Sequence, residues 1–278
     1  MISGLRISLV IPAYNQVGHT IECLKSIRRQ PDQPDEIIVI DNASTDGTAD
    51  YLRQADVRVI TNTTNLGCAK AWNQGIRASQ GEAIGILNND TLVTRGWLEH
   101  LLAFMSKTGH GIVSPSAREG PLSYDLDQYA AEFTCRCAQV TRSEVYGACM
   151  FIRRAVFDRV GLFDEGFTYG GYEDIDFIWR VKQAGFSIGM TGAVLIHHFG
   201  MMTQDAIKRT ETRAYPERNM AHFQNKWKRT VRGSWAERRW VNFRSAVRER
   251  YELIRYGHTL VEKNRKAVTL AEKQSAMR

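Results

Sequence analysis

Along the first 110 residues, short, mainly apolar runs alternate with segments whose apolar positions recur every three or four residues. The runs are Ile7 to Ile11, Ile37 to Ile40, Val57 to Ile60 and Ala83 to Leu87. Between them lie Ile21, Leu24 and Ile27, then Ala69, Trp72 and Ile76. A continuous apolar run of this length reads as a strand buried on both faces, and the three-to-four spacing reads as a helix with one buried side. Their alternation predicts a mostly parallel sheet with covering helices, an α/β fold.

Residues 115–144 lose that periodicity, with Pro115, Gly120 and Pro121 among polar positions, and are expected to form a loop or lid between two halves of one domain. Strand-like Val145 to Ile152 follows, then a short helix near Arg154 and a turn carrying Gly166, Gly170 and Gly171. A helix from Glu173 has Ile175, Ile178, Trp179 and Val181 on its apolar side and Gly185 as its stop, and Ser187 to Met190 reads as another short strand. Beyond His197-His198 the pattern is helical and basic. The chain is therefore expected to divide into an α/β domain over 1–203 and a basic helical extension over 204–278, with no internal repeat.

A hydrophobic content of 43% and a charged content of 24% exclude general disorder. No apolar run reaches the roughly 18 residues a bilayer span requires. The opening Met-Ile-Ser-Gly-Leu-Arg lacks the basic-then-apolar layout of a signal peptide, so a cytoplasmic location is expected. Cys23, Cys68, Cys135, Cys137 and Cys149 make an odd set without CxxC or zinc-finger spacing, which favours free thiols over bridges or a metal cluster. The net charge of +7 is uneven: residues 204–278 hold 19 Lys and Arg against 8 Asp and Glu, a surplus of 11, which leaves residues 1–203 at −4.

The polar residues that matter follow the apolar runs, at the strand ends where open α/β sheets bind ligands. The first run ends in Pro12-Ala13-Tyr14-Asn15 and the second in Asp41-Asn42, where Asp41 could accept from a nucleobase N–H. An Asp after a strand also serves as a helix cap or turn residue. Asn65-Leu66-Gly67 precedes a helix containing Asn73, and Gly67 would serve either close backbone approach to a ligand or a tight turn. Asn88-Asn89-Asp90-Thr91 closes the fourth run. Asp90 could bind a divalent cation that neutralises a leaving diphosphate, although an Asx turn explains the same residues.

Tyr172-Glu173-Asp174-Ile175-Asp176 puts three carboxylates at a helix start, where acids favour the positive helix end and where a general base could face a cleft. His197-His198 follows Val194-Leu195-Ile196, and an imidazole can complete a divalent site with a shift of preference toward Mn²⁺ over Mg²⁺.

Taken in order, the segments Ile7 to Asn15, Val39 to Thr48, Asn65-Leu66-Gly67, Leu87 to Thr91, Tyr172 to Asp176 and His198-Phe199-Gly200 resemble the family 2 glycosyltransferases of the GT-A fold, over about residues 5–203. The resemblance implies a Rossmann-like, mostly parallel sheet with helices on both faces, and inverting transfer of a sugar from a nucleoside diphosphate sugar, UDP- or dTDP-linked. It implies a nucleotide-sugar site of Pro12, Ala13, Tyr14, Asn15, Asp41, Asn42, Asn65, Gly67, Asn73, Asn88, Asn89 and Asp90. Asp174 would be the catalytic base with Glu173 beside it, Gly147 and Tyr172 would face the acceptor, and Asp90 and His198 would hold Mn²⁺ or Mg²⁺. Asn88 stands where the family's Asp-x-Asp motif has its first acid, which removes one negative charge from the site and implies weaker or more Mn²⁺-selective binding.

The acceptor implied is a glycan or lipid-linked molecule of bacterial surface-polysaccharide synthesis. In the extension, Trp227, Trp235, Trp240, Phe243 and Tyr251 stand among Arg and Lys. That pattern suits peripheral contact with an anionic membrane, or packing on the core or on a second subunit. Nucleic-acid binding is disfavoured because the charge is confined to the extension and no nucleic-acid module accompanies it. A nucleotidyltransferase would want a Gly-rich, basic loop after the first strand, which Pro12 to Asn15 is not.

Overall fold

The computed structural model describes residues 4–200, 215–228 and 235–263. β1 (Ile7–Ala13), β2 (Glu36–Asp41), β3 (Arg58–Thr61) and β4 (Ala83–Leu87) form on the apolar runs, with α1 (Val17–Arg28), α2 (Thr48–Gln54) and α3 (Cys68–Ala78) between them. The four strands are parallel in the order β3-β2-β1-β4. Successive strand side chains point to opposite faces. Leu9, Ile11 and Ala13 therefore enter one core with Cys23, Leu24 and Ile27, while Val10 enters another with Trp72 and Ile76. A sheet with a core on each face leaves little room for polar residues, which is why these runs are mainly apolar, and Ser8 enters it by donating its hydroxyl to Glu36 Oε1 at 2.6 Å.

The remaining elements are β5 (Thr91–Val93), α4 (Trp97–Thr108), β6 (Ile112–Glu119), α5 (Leu126–Cys137), β7 (Thr141–Arg142), β8 (Cys149–Arg153), α6 (Arg154–Val160), α7 (Glu173–Gln183), β9 (Ile188–His198), α8 (Tyr215–Trp227), α9 (Trp235–Tyr256) and β10 (Val261–Lys263). β8 joins β4 and β6 antiparallel, β6 runs parallel to β9, and β5 and β7 pair antiparallel with β9. The result is a mixed α/β sheet, parallel at one end, with helices on both faces.

Several expectations are corrected. Residues 115–144 are not a loop: β6 is a buried strand and α5 a helix. β6 hides its strand character because Ser114 and Ser116 are buried with hydrogen-bonded hydroxyls, and because Pro115 sits where the register with β9 shifts, a bulge position that tolerates proline. The strand expected over Val145 to Ile152 starts only at Cys149. The short strand expected over Ser187 to Met190 begins at Ile188 and is the start of a long one, β9, that continues to His198.

The extension is helical through α8 and α9 but also supplies β10, which pairs parallel with β6 in the same sheet. The expected boundary at 203 lies outside the described residues, as does the side chain of Trp235. Trp227 packs inward against Trp179, whereas Trp240, Phe243 and Tyr251 are exposed. All five cysteines are free. No helix among the described residues is long and apolar enough to cross a membrane.

The register gathers the candidate residues at one edge of the sheet. Ala13 pairs with Asp41, Leu87 with Cys149, and Thr91 with His198. The ends of β1, β2 and β4, the approach to β8 and the end of β9 therefore meet there.

Candidate active site

The loops after β1 and β2 are knitted to each other. Asn15 Oδ1 accepts from Thr45 N (2.7 Å), Asn15 N donates to Ser44 Oγ (2.8 Å), and Val17 N donates to Asp46 Oδ2 (2.9 Å). Asn15, Gln16 and Ala43 take positive φ, so the pair of loops is held in a conformation that side-chain-bearing residues rarely adopt. Asp41 is buried and accepts from Ser44 N at 3.0 Å. Pro12 and Ala13 end β1 beside Ile40 and Asp41, and Tyr14 follows half-buried.

Asn42 braces the next loop by accepting from Asn62 Nδ2 (2.8 Å) and donating to Gly67 O (3.4 Å). Asn65 Oδ1 accepts from Gly67 N (3.0 Å), and among the described residues its buried Nδ2 has no hydrogen-bond partner. Gly67 has φ +81°, and a Cβ there would stand 2.6 Å from Tyr169 N, so only glycine lets the 167–172 segment approach. Asn73 is placed differently from expectation. Its amide donates to Phe163 O and Glu165 Oε1 (both 2.9 Å) and accepts from Phe163 N (3.0 Å), which commits it to anchoring the 163–165 segment.

The segment continues into Tyr172, which caps α7 with φ 78°, and then into Glu173 and Asp174. Glu173 is buried, and its Oε2 lacks a hydrogen-bond partner among the described residues. Burial, with the Asp174 charge beside it, pushes the Glu173 carboxyl up to about 8. Burial also raises Asp174, whose Oδ1 accepts from Ile175 N at 2.8 Å. A Cβ on Gly147 would stand 2.7 Å from Asp174 Oδ2, so the carboxylate occupies the space this glycine leaves.

Asn88 N donates to Ala148 O (2.9 Å), which ties the end of β4 to the residue after Gly147. Asn89 turns to α1 and donates to Thr20 Oγ1 (3.0 Å). Asp90 is buried, with Oδ1 3.1 Å from His198 Nε2. His198 Nδ1 lies 2.6 Å from Tyr146 Oη, and that hydroxyl donates to Glu119 Oε1 at 2.6 Å. Burial opposes charge on His198, but Asp90 and Glu119 push it up to about 9. The bond with His198, against burial, holds Glu119 at about 2. Strand alternation turns His197 the other way, onto Tyr124 Oη at 2.7 Å, where burial and the neighbouring His198 push it down to about 4.

An imidazole nitrogen and a carboxylate oxygen at 3.1 Å need a positive charge between them, a proton or a metal ion. Two ligands at right angles, each about 2.1 Å from one cation, stand about 3 Å apart. The pair therefore fits a divalent cation, and the relay from Nδ1 through Tyr146 to Glu119 leaves Nε2 free to ligate. No group of three or more His, Cys, Asp or Glu side chains able to hold a metal occurs among the described residues, so the other ligands would come from substrate and water.

Sequence reasoning missed three contributors. Glu119 lay in the presumed loop. Tyr146 stood beside Gly147 without a role. Asn219 of α8 was hidden in the basic extension. Its buried amide accepts from Thr168 N (2.9 Å) and donates to the carbonyls of Thr168 (2.9 Å), Gly170 (3.2 Å) and Gly171 (3.1 Å), the stretch that leads into Glu173 and Asp174. Asp176 fastens α8 as well, accepting from Trp227 Nε1 and Lys226 Nζ, both at 2.8 Å.

The sequence model of Glycosyl transferase family 2 matches residues 8–161. Glycosyltransferase AglE of Haloferax volcanii is 28% identical over 206 residues, 69% of this chain and 66% of that protein. Among solved structures, the mannosyltransferase PcManGT from Pyrobaculum calidifontis, in complex with GDP-Man and Mn²⁺, superposes with a TM-score of 0.58 at 21% identity, over 80% of this chain and 64% of that one. S. aureus TarS 1-349, in complex with UDP-GlcNAc, does so with a TM-score of 0.55 at 19% identity, over 69% and 58%. The chain thus spans at most about two thirds of the length of these three proteins.

Proposed function

This chain belongs to the family 2 glycosyltransferases, and we propose that it moves a sugar from a nucleoside diphosphate sugar to an acceptor hydroxyl with inversion at the anomeric carbon. The observation that carries this reading is the contact chain Asp174, Gly147, Ala148, Asn88, Asp90. It brings a carboxylate able to take a proton close to a carboxylate–imidazole pair able to face a diphosphate.

Asp174 is the general base. Burial and the Asp174 charge raise the Glu173 carboxyl, so Glu173 is the acid of the pair that holds its proton more firmly, while burial also raises Asp174. A base needs the ionised state and a position within hydrogen-bond reach of the hydroxyl it deprotonates. Attack from the face opposite the leaving group inverts the centre, so an α-linked donor gives a β-linked product.

Asp90 and His198 would hold a divalent cation, which when bound supplies charge neutralisation at the departing diphosphate. Two structural neighbours support the donor class: PcManGT was solved with GDP-Man and Mn²⁺, and TarS with UDP-GlcNAc. On this side the nucleotide meets the loops after β1, β2 and β3, with Asp41 at the base and Asn65 Nδ2 as a spare donor. Asn15 and Asn42 shape these loops from behind. Tyr172 and Gly147 border the acceptor, a glycan or lipid-linked molecule of surface-polysaccharide synthesis. A lipid-linked acceptor would bring the enzyme to a membrane, for which the extension supplies the contact.

The test is a panel of UDP-, dTDP- and GDP-sugars with Mn²⁺, read as nucleotide release with and without candidate acceptors. One donor class should release nucleoside diphosphate in the native protein and not in Asp174→Asn. Binding without release from any donor would replace transfer by a sugar-nucleotide binder, and formation of nucleoside triphosphate and sugar 1-phosphate on addition of pyrophosphate would replace it by a nucleotidyltransferase.

A further inference from the structure

α9 carries an apolar stripe that no described residue covers. Trp240, Phe243, Val247, Tyr251 and Ile254 are 61%, 60%, 52%, 59% and 77% exposed. At 100° per residue they fall within an arc of about 80°. One flank of the C-terminal half of the helix is fastened to the protein. Buried Glu252 takes Arg142 Nε at 3.0 Å and a second nitrogen of the same guanidinium, and Arg248 meets Glu144 at 3.1 Å. The stripe is therefore held outward by the fold.

Its margins are basic on both sides. Arg239 and Arg250 follow one edge, Arg244 and Arg255 the other, and all four are exposed. The acids of this helix with described side chains, Glu249 and Glu252, lie away from the stripe. An apolar stripe between two rows of arginine matches a surface with acyl chains below and phosphates above. A second copy packed on the same face would set arginine rows against arginine rows, which like-charge repulsion opposes. The helix has 22 residues, about 33 Å, and lacks the apolar composition of a span.

We propose that α9 lies in the plane of an anionic membrane surface, with Trp240, Phe243, Val247, Tyr251 and Ile254 at the boundary between headgroups and acyl chains and the four arginines on lipid phosphates. The catalytic edge would then be presented from a surface rather than from free solution. This placement does not depend on the transfer chemistry, so its test reads binding and not activity.

The experiment is co-sedimentation of the full chain with phosphatidylcholine vesicles, with and without phosphatidylglycerol, at low and high salt. The native chain should pellet only with phosphatidylglycerol-containing vesicles and should be released by salt. Substituting serine at Trp240, Phe243 and Ile254 together should weaken partition at least tenfold, roughly the effect of one buried apolar side chain. Arg244→Gln with Arg250→Gln should weaken it by about fivefold per arginine at low salt. Circular dichroism and an unchanged Tm establish that each variant is folded, and the arginine pair stands as an independent readout if the serine variant is not.

Equal partition onto neutral vesicles, no partition at all, or equal binding by the native and serine chains would overturn the proposal. A dimer in sedimentation velocity that the serine variant dissolves would do the same, by assigning the stripe to contact between copies.

Discussion

Gly147 and Asp174 share one space: a Cβ on the glycine would stand 2.7 Å from Asp174 Oδ2, closer than any carbon tolerates. The absence of one methyl group thus sets where the carboxylate sits. Gly147→Ala should push the carboxylate aside by about an ångström, and a misplacement of that size costs on the order of a hundredfold in turnover. Donor affinity, set by loops on other strands, should stay within a few fold. Transfer assays beside calorimetry with the donor separate the two effects.

Glu173 and Asp174 are adjacent acids with opposite assignments. Asp174→Asn should lower turnover by roughly 10²–10⁴, the worth of a general base, with donor binding nearly unchanged. Glu173→Gln mimics the protonated acid already present below about pH 8 and should keep most activity at pH 7. Stability distinguishes the pair as well. Burial, with Asp174 beside it, raises Glu173 from 4.5 to about 8, so the folded state holds a proton that the unfolded chain releases. The stability this contributes is complete below pH 4.5 and is lost as pH rises through 8. The Tm of the native protein should therefore fall relative to Glu173→Gln between pH 5 and 8, as followed by thermal melts across that range.

The parts of this fold that were legible are those with one physical cause. β1, β2 and β4 announced themselves because burial on both faces favours runs of apolar residues, and β3, at the sheet edge and only partly buried, still carries Val59 and Ile60. β6 did not announce itself, since Ser114 and Ser116 satisfy their hydroxyls inside the sheet and Pro115 sits at a bulge. α5 does carry Tyr129, Ala130, Phe133 and Cys137 at helical spacing, but the proline and glycine before it dominate a local reading. The strand-end carboxylates could be found from their position. Their supports could not, because Glu119, Tyr146 and Asn219 reach the site through pairings 27 to 52 residues apart. Asn73 shows the converse, an amide in the right stretch of sequence whose bonds are spent on another segment.

Asn219 gives the extension a catalytic consequence. Its amide is buried and satisfies three carbonyls and one amide N–H between Thr168 and Gly171. Asn219→Ala leaves those groups without partners, at about 1–3 kcal/mol for each that water cannot reach. The segment that delivers Glu173 and Asp174 should loosen. Turnover should drop about tenfold, and amide exchange over residues 168–172 should accelerate while exchange in β1 and β4 stays unchanged. Hydrogen exchange by mass spectrometry checks the second outcome without reference to activity.

Tyr146 is the hinge of the metal assignment. Its hydroxyl donates to Glu119 Oε1 and so accepts from His198 Nδ1–H at 2.6 Å, which leaves Nε2, 3.1 Å from Asp90 Oδ1, as the nitrogen that would give up its proton to ligate a cation. Tyr146→Phe keeps the ring against His198, with centroids 5.7 Å apart, but removes the acceptor that fixes this tautomer. Loss of such an outer partner typically lowers metal affinity 10–100-fold. Mn²⁺ titration in the presence of donor should register that loss for Tyr146→Phe, a loss in the same direction for Glu119→Gln, and near-complete loss for Asp90→Ala. A purely structural tyrosine would instead lower Tm and leave Mn²⁺ affinity where it was. Asn88 offers a second comparison, because it stands two residues before Asp90 and its amide brings no charge. Asn88→Asp should tighten Mn²⁺ and Mg²⁺ binding together, and the gain should persist in the Tyr146→Phe background if the two residues act on the cation independently.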